Sequence, residues 1–342
     1  MLVKKVLIQQ CQPMSTQHVN ADMENMFTYQ RIDKDFVSKL PPKLINRVVD
    51  HIATTEADLD SNRLTQPKES ISIDDLLVKP NRRFYFMFCP YCNEVGWLSM
   101  AQDSSKVSKS LSSSEPVACV FCGETGPFEK MNNCQKKSIM LYTLATGKPQ
   151  VPETGETFVK RTLLEQSLVT TATGIEVFLR DVYSIVLNLR HVKPEKNLTG
   201  RFIEESRNDF INIGKAKEKY KKDLGVDLAR VIRKDDLRKL DLLMAKRNVV
   251  VHNNGTVDRA FLRQIEAKGL STLLQQTGKK LRPGARVPVS RIELEEYLKA
   301  SENCLLAISR AFELDFREAI LQRIKLNLKR GRHTRIGKIT LR

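Results

Sequence analysis

Two Cys-x-x-Cys pairs constrain this chain more than any other feature. Cys89-Pro-Tyr-Cys92 and Cys119-Val-Phe-Cys122 are separated by residues 93–118, and Gly96 and Gly123 stand where tight turns need them. Four thiolates at this spacing close a tetrahedron around one Zn2+, each at about 2.3 Å. Such a set leaves no open coordination position, so the metal's role is structural. The surrounding apolar residues, Phe84, Tyr85, Phe86, Trp97 and Phe121, are too few to fold without a staple, and metal binding supplies the missing folding energy. The alternatives are a redox dithiol, which needs one such pair and not two, or unpaired buried cysteines. Cys11, Cys134 and Cys304 have no ligand spacing, and Cys304 falls on an apolar helix face as a core residue. His18 and His51 read as ordinary surface or core histidines.

The cysteine pattern resembles a zinc ribbon, a small interaction or nucleic-acid module. Tyr91 and Trp97 either stack on bases or pack the module's small core, and packing is preferred. Charge points the same way as the ribbon. The 342 residues carry 57 Lys and Arg against 40 Asp and Glu, a net charge of +17. Residues 1–80 hold 10 basic and 11 acidic residues, so the remaining chain carries 47 and 29, a net of +18. That asymmetry disfavours an ordinary acidic metabolic enzyme and favours a polyanionic partner. No run of 18 apolar residues predicts a membrane span, and residues 1–10 are too polar for a signal peptide. The expectation is a cytoplasmic protein without membrane contact, in which disulfides are rare.

Four segments follow along the chain. Residues 1–80 are weakly patterned, with a helix expected over 42–56 and a loop over 57–80. Residues 81–148 form the β-rich zinc ribbon, interrupted by the Ser/Lys-rich loop 104–116 and closed by the Gly/Pro-rich boundary 145–157. Residues 149–317 change character. Apolar positions at helical spacing predict long helices over 158–190, 198–222, 235–252 and 290–317, the last capped by Ser290, with a loop or short hairpin over 278–289. A basic tail, 318–342, ends the chain. The fold class is mainly α: a helical bundle, a small ribbon and a partly helical N-terminal region.

The third helix of that bundle ends in Arg247-Asn248-Val249-Val250-Val251-His252-Asn253-Asn254-Gly255. Asn253-Asn254-Gly255 is a helix stop, because Asn and Gly accept left-handed backbone. In a straight helix residues five apart are turned by about 140°, but a helix ending at the histidine lets Arg247 and His252 point into one cleft. The helix's negative end favours the imidazolium. This set suits RNA cleavage by the RNA's own 2′-hydroxyl. Histidine moves the proton, arginine holds the phosphate, and Asn248 bonds the phosphate or orients the histidine. No carboxylate cluster offers to hold a catalytic metal. One histidine per chain is too few for both acid and base, so two chains would meet in a symmetric homodimer with a composite site.

These residues carry a resemblance to the HEPN superfamily, all-α domains whose ribonucleases share an R-x(4–6)-H motif. The matching segment is MAKRNVVVHNNGTVDRAFL (244–262), and TGIEVFLRDVY (173–183) resembles the family's first helix. The resemblance covers about 158–317. It implies a metal-independent endoribonuclease, with Arg247, Asn248 and His252 as active residues and 2′,3′-cyclic phosphate products. It also implies a phage-defence or toxin context, with an antitoxin or defence-system partner. Some members add an acidic residue from another helix, for which Glu176 and Asp181 are candidates; Glu176 could instead pair with Arg180. The rival expectation is a non-catalytic adaptor or regulator that binds nucleic acid through the ribbon and basic tail and dimerises through its helices.

Overall fold

The structure, a computed structural model, describes residues 29–31, 82–101, 119, 122–147, 153–191, 197–275 and 281–329. Cys11, His18, His51, the helix expected over 42–56 and the last thirteen residues of the basic tail lie outside these. The chain divides into two compact units. One gathers Met1–Cys89, Asn93–Ser114 and Phe316–Arg342, and the other Pro90–Cys92 and Glu115–Asp315.

In the first unit β1 (Tyr29–Arg31), β2 (Arg82–Phe88) and β3 (Val95–Ala101) form an antiparallel sheet in sequence order. Tyr29 lies opposite Met87, and Phe88 opposite Val95, so β2 and β3 form a hairpin whose connection carries the first cysteine pair.

The second unit is helical, and the described residues as a whole are mainly so. It contains α1 (Pro127–Thr146), α2 (Glu153–Arg190), α3 (Leu198–Glu205), a 3-10 turn at Asp209–Ile211, α4 (Ile213–Leu224), α5 (Leu228–Val231), α6 (Lys234–His252), α7 (Arg259–Ala267) and α8 (Ser271–Gln275). The last helix, α9 (Arg291–Lys329), begins in this unit. The helices expected over 158–190, 235–252 and 290–317 are α2, α6 and α9. The one expected over 198–222 is broken at Ser206–Asn212 into α3, the 3-10 turn and α4. Asn212 restarts it as an N-cap, accepting from Gly214 N at 2.8 Å. No described helix is long and apolar enough to cross a membrane.

The α2 helix is the axis of the core. Phe178, Val182 and Val186 are fully buried on it. Tyr183 stacks near Phe210 and Tyr220, and Tyr220 reaches Phe312 of α9. The Tyr220 hydroxyl donates to Leu179 O at 2.7 Å, which satisfies its polar end. At the C-terminus of α2, Arg190 grips Asp315 through both oxygens and donates to Leu224 O, closing α2 onto α4 and α9.

Helix α1 lies inside the segment 81–148 and packs along α2 through both apolar and small polar residues, with Phe128 edge-on to Phe178 and Met131 fully buried. Ser138 exchanges hydrogen bonds with Ser167 and Thr171 at 2.7 Å, all three buried. Gly174 permits the approach, since a Cβ there would stand 2.8 Å from the Cβ of Cys134. Cys304 is a core residue of α9 with no exposed surface, and burial pushes its thiol up to about 12.

A buried cation joins α6 to α9. Lys246 has no exposed surface, and its Nζ donates to Pro288 O at 2.7 Å and to Glu293 Oε1 at 2.5 Å. Burial draws the Lys246 pKa below the ordinary lysine value, while Glu293 opposes the shift. The other oxygen of Glu293 accepts from Ser290 N at 3.0 Å, a capping box that starts α9. Replacing Lys246 by Ala strands a carboxylate and a carbonyl and leaves a cavity. The Lys246→Ala protein is expected to lose about 3 kcal/mol of stability in denaturant titration, and a loss below about 1 kcal/mol contradicts this role.

Candidate functional site

The four cysteine thiols come together. The Sγ atoms of Cys89, Cys92, Cys119 and Cys122 all lie within 4.8 Å of one another. Cys92 and Cys119 are 3.8 Å apart, the edge of a tetrahedron with ligands at about 2.3 Å, which is about 3.8 Å. The two knuckles are conformational twins. Asn93 N donates to Cys89 O and Cys89 N to Glu94 O; Gly123 N donates to Cys119 O and Cys119 N to Glu124 O, all between 2.8 and 2.9 Å. The fifth residue of each turn is left-handed, Asn93 at φ 60° and Gly123 at φ 75°. Of the two glycines read as turn residues, Gly123 fills that position, whereas Gly96 lies in β3. The chemistry of four clustered thiols fits a tetrahedral, thiophilic cation.

Tyr91 is buried within the helical unit, to which residues 90–92 belong, as the packing expectation had it. Its hydroxyl donates to Asp181 at 3.1 Å, and Lys130 stands 4.9 Å over its ring.

The second set sits on α6. The helix stays regular through His252 and stops there: Asn253 N and Gly255 N both donate to Val249 O at 3.0 Å, with Asn254 at φ 48° and Gly255 at φ 72°. Loop 281–287 clips this stop in place, with Val287 N donating to Gly255 O at 2.9 Å, Val257 N to Ala285 O at 2.8 Å, and Arg286 to Asn254 O.

Arg247 and Asn248 are half-buried, and His252 is exposed. Arg247 Nη1 donates to Asn248 Oδ1 at 3.1 Å, and Nη2 lies 3.7 Å from Glu176 Oε2 on α2. Its Nε has no hydrogen-bond partner. Because α6 remains helical to its last residue, the turn of about 140° between Arg247 and His252 persists. Among the described residues no hydrogen bond or ion pair joins the two.

Structure separates the two acidic residues that sequence left together. Glu176 meets Arg247, whereas Asp181, five residues on and on another face of α2, is held by Lys130 at 2.8 Å, Tyr91 and Arg180. Arg180 thus pairs with Asp181 and not with Glu176.

Glu165 escapes sequence reading. It lies eleven residues before Glu176, three helical turns, and so on the same face of α2. Arg161 approaches it at 3.8 Å, and its Oε1 is buried with no hydrogen-bond partner. The stop of α6 comes against it, since a Cβ on Gly255 would stand 3.0 Å from Glu165 Oε1. No periodicity marks this contact; only the glycine after the helix stop hints at a close approach.

Comparison with family models, with curated proteins and with solved structures finds no match for this chain.

Gly255 carries both a left-handed backbone and that contact. Gly255→Ala is expected to cost about 1–2 kcal/mol in denaturant titration, whereas Asn254→Gly is neutral or stabilising. Equal effects of the two substitutions contradict the geometry of this stop.

Proposed function

We propose that the protein is an endoribonuclease that cleaves RNA by attack of the substrate's own 2′-hydroxyl and needs no catalytic metal. The observation that carries this reading is the end of α6. There a guanidinium is braced by Glu176 and Asn248, with its buried Nε left without a partner, and an exposed imidazole terminates the same helix. The resemblance of 244–262 to HEPN ribonucleases and the net charge of +17 support it.

In this reading Arg247 binds a phosphate oxygen and stabilises charge growing on the equatorial oxygens. Glu176 keeps the guanidinium from swinging away. His252 accepts the 2′-hydroxyl proton as the O2′–P bond forms. The P–O5′ bond breaks, and a protonated imidazole gives its proton to the departing 5′-oxygen. The products are a 2′,3′-cyclic phosphate and a 5′-hydroxyl. One chain supplies one such histidine, and the turn between Arg247 and His252 keeps them on separate sides of α6. A symmetric homodimer, in which each guanidinium meets the imidazole of the other chain, supplies both acid and base. Val251, 47% exposed beside His252, is the kind of apolar residue such an interface covers.

The four thiols hold a structural Zn2+ in this account, within a ribbon-like module that helps bind RNA in the cytoplasm. The context is phage defence or toxin-type arrest, with an inhibitory or defence-system partner. The Arg247–Glu176 pair also suits a second reading, in which it is a structural brace in a non-catalytic nucleic-acid-binding adaptor or regulator that dimerises through its helices.

Zinc-loaded protein is expected to cleave single-stranded RNA in the presence of a magnesium-chelating buffer. His252→Ala and Arg247→Ala should each slow cleavage about a thousandfold, with the melting temperature of His252→Ala unchanged. Full activity of His252→Ala contradicts the enzyme reading; salt-dependent binding of RNA and DNA without cleavage establishes the adaptor.

A further inference from the structure

The two residues between the first pair of cysteines enter the helical unit as a polar key. Pro90 O accepts from Thr199 Oγ1 at 2.8 Å and from Asn188 Nδ2 at 3.2 Å, and Asn188 Nδ2 also donates to Thr199 Oγ1 at 2.7 Å. Tyr91 OH donates to Asp181 at 3.1 Å. Asp181, Asn188 and Thr199 have no exposed surface. Lys130 of α1 ties the second knuckle to the same point, since its Nζ lies 2.8 Å from Asp181, 3.3 Å from Tyr91 OH and 3.6 Å from Glu124.

Buried polar side chains on α2 and α3 therefore find partners in a turn of four residues that has no regular secondary structure of its own. Two backbone hydrogen bonds close this turn, and a metal held by Cys89 and Cys92 would fix its two ends as well. A buried acceptor or donor that loses its partner destabilises whatever carries it. A metal that binds only the folded turn stabilises everything the turn completes.

We infer that the four-cysteine centre is a metal-dependent keystone of the helical unit: metal bound there holds Pro90 and Tyr91 over the patch Asp181–Asn188–Thr199, and its removal loosens the C-terminal half of α2 together with α3. This rests on reading the four thiols as a Zn2+ site, and it adds a mechanical consequence that the metal site alone does not carry. Helix α2 also carries Glu176, five residues before Asp181, so the metal is felt on the helix that braces Arg247.

The test is hydrogen exchange, by mass spectrometry, on the full chain as purified, after chelator stripping, and after Zn2+ is restored, with metal per chain measured in each state. Stripping is expected to speed exchange about tenfold in peptides covering 181–190 and 198–205, with little change over 297–308, and Zn2+ should reverse it. The double variant Tyr91→Phe, Thr199→Val keeps all four thiols. It is expected to bind metal as the parent does but to exchange quickly over 181–190 with or without metal. Metal that binds and leaves without altering exchange over 181–190 overturns the keystone while sparing the metal site. So does an equal rise in every helix, or a double variant as metal-sensitive as the parent. A protein that takes up no Zn2+ overturns both.

Discussion

Asp181 is a carboxylate with no exposed surface, and the arrangement of the helical unit follows from satisfying it. An ionised carboxylate away from water persists only with cations and donors around it. Here Lys130 comes from α1, Arg180 from the same helix and a hydroxyl from Tyr91 between two cysteines. One charge thus fixes where α1 lies along α2 and where the first knuckle is seated. Seven residues further on, the Asn188 amide nitrogen donates to Pro90 O and Thr199 Oγ1, while its buried oxygen has no hydrogen-bond partner. The polar seam Ser138–Ser167–Thr171 secures the other stretch of α1.

The face of α2 that meets α6 is satisfied less completely. Glu176 and Glu165 align there over three turns, yet they are incompletely neutralised. Glu176 reaches Arg247 only at 3.7 Å, and one oxygen of Glu165 has no hydrogen-bond partner. A seam built only for stability tends to close such gaps, as the Lys246–Glu293 contact on the other side of α6 does. Residues 246 and 247 are neighbours in sequence with contrasting surroundings. Lys246 is buried and fully engaged, and Arg247 is half-buried with a donor unspent.

What the sequence made legible was set by pattern. Long apolar stripes announced α2, α6 and α9, and Asn253-Asn254-Gly255 marked the end of α6 at its actual place, because left-handed residues have few other uses. The cysteine spacing announced the thiol cluster. Helix α1 leaves only a thin trace: its buried face repeats at helical spacing through Phe128, Met131, Ser138 and Ala145, but only the first two are large and apolar, and its partners on α2 include Ser167, Thr171 and Gly174. Lys246 reads as a surface lysine and is not one. Glu176 and Asp181 are both acidic residues of one helix, and only the partner each meets, Arg247 or Lys130, tells them apart. The role of Tyr91 was likewise decided by a tertiary contact, its hydroxyl against Asp181.

In the function proposed above, the end of α6 turns a 2′-hydroxyl on its own phosphodiester. The most direct measurement uses two RNA strands identical except for one 2′-deoxy nucleotide immediately 5′ of the principal cut site, with the product ends identified by mass. The parent strand is expected to yield a 2′,3′-cyclic phosphate and a 5′-hydroxyl, and the deoxy strand to be bound but uncut at that position. Cleavage of the deoxy strand at the same position, or products bearing 5′-phosphates, would contradict it.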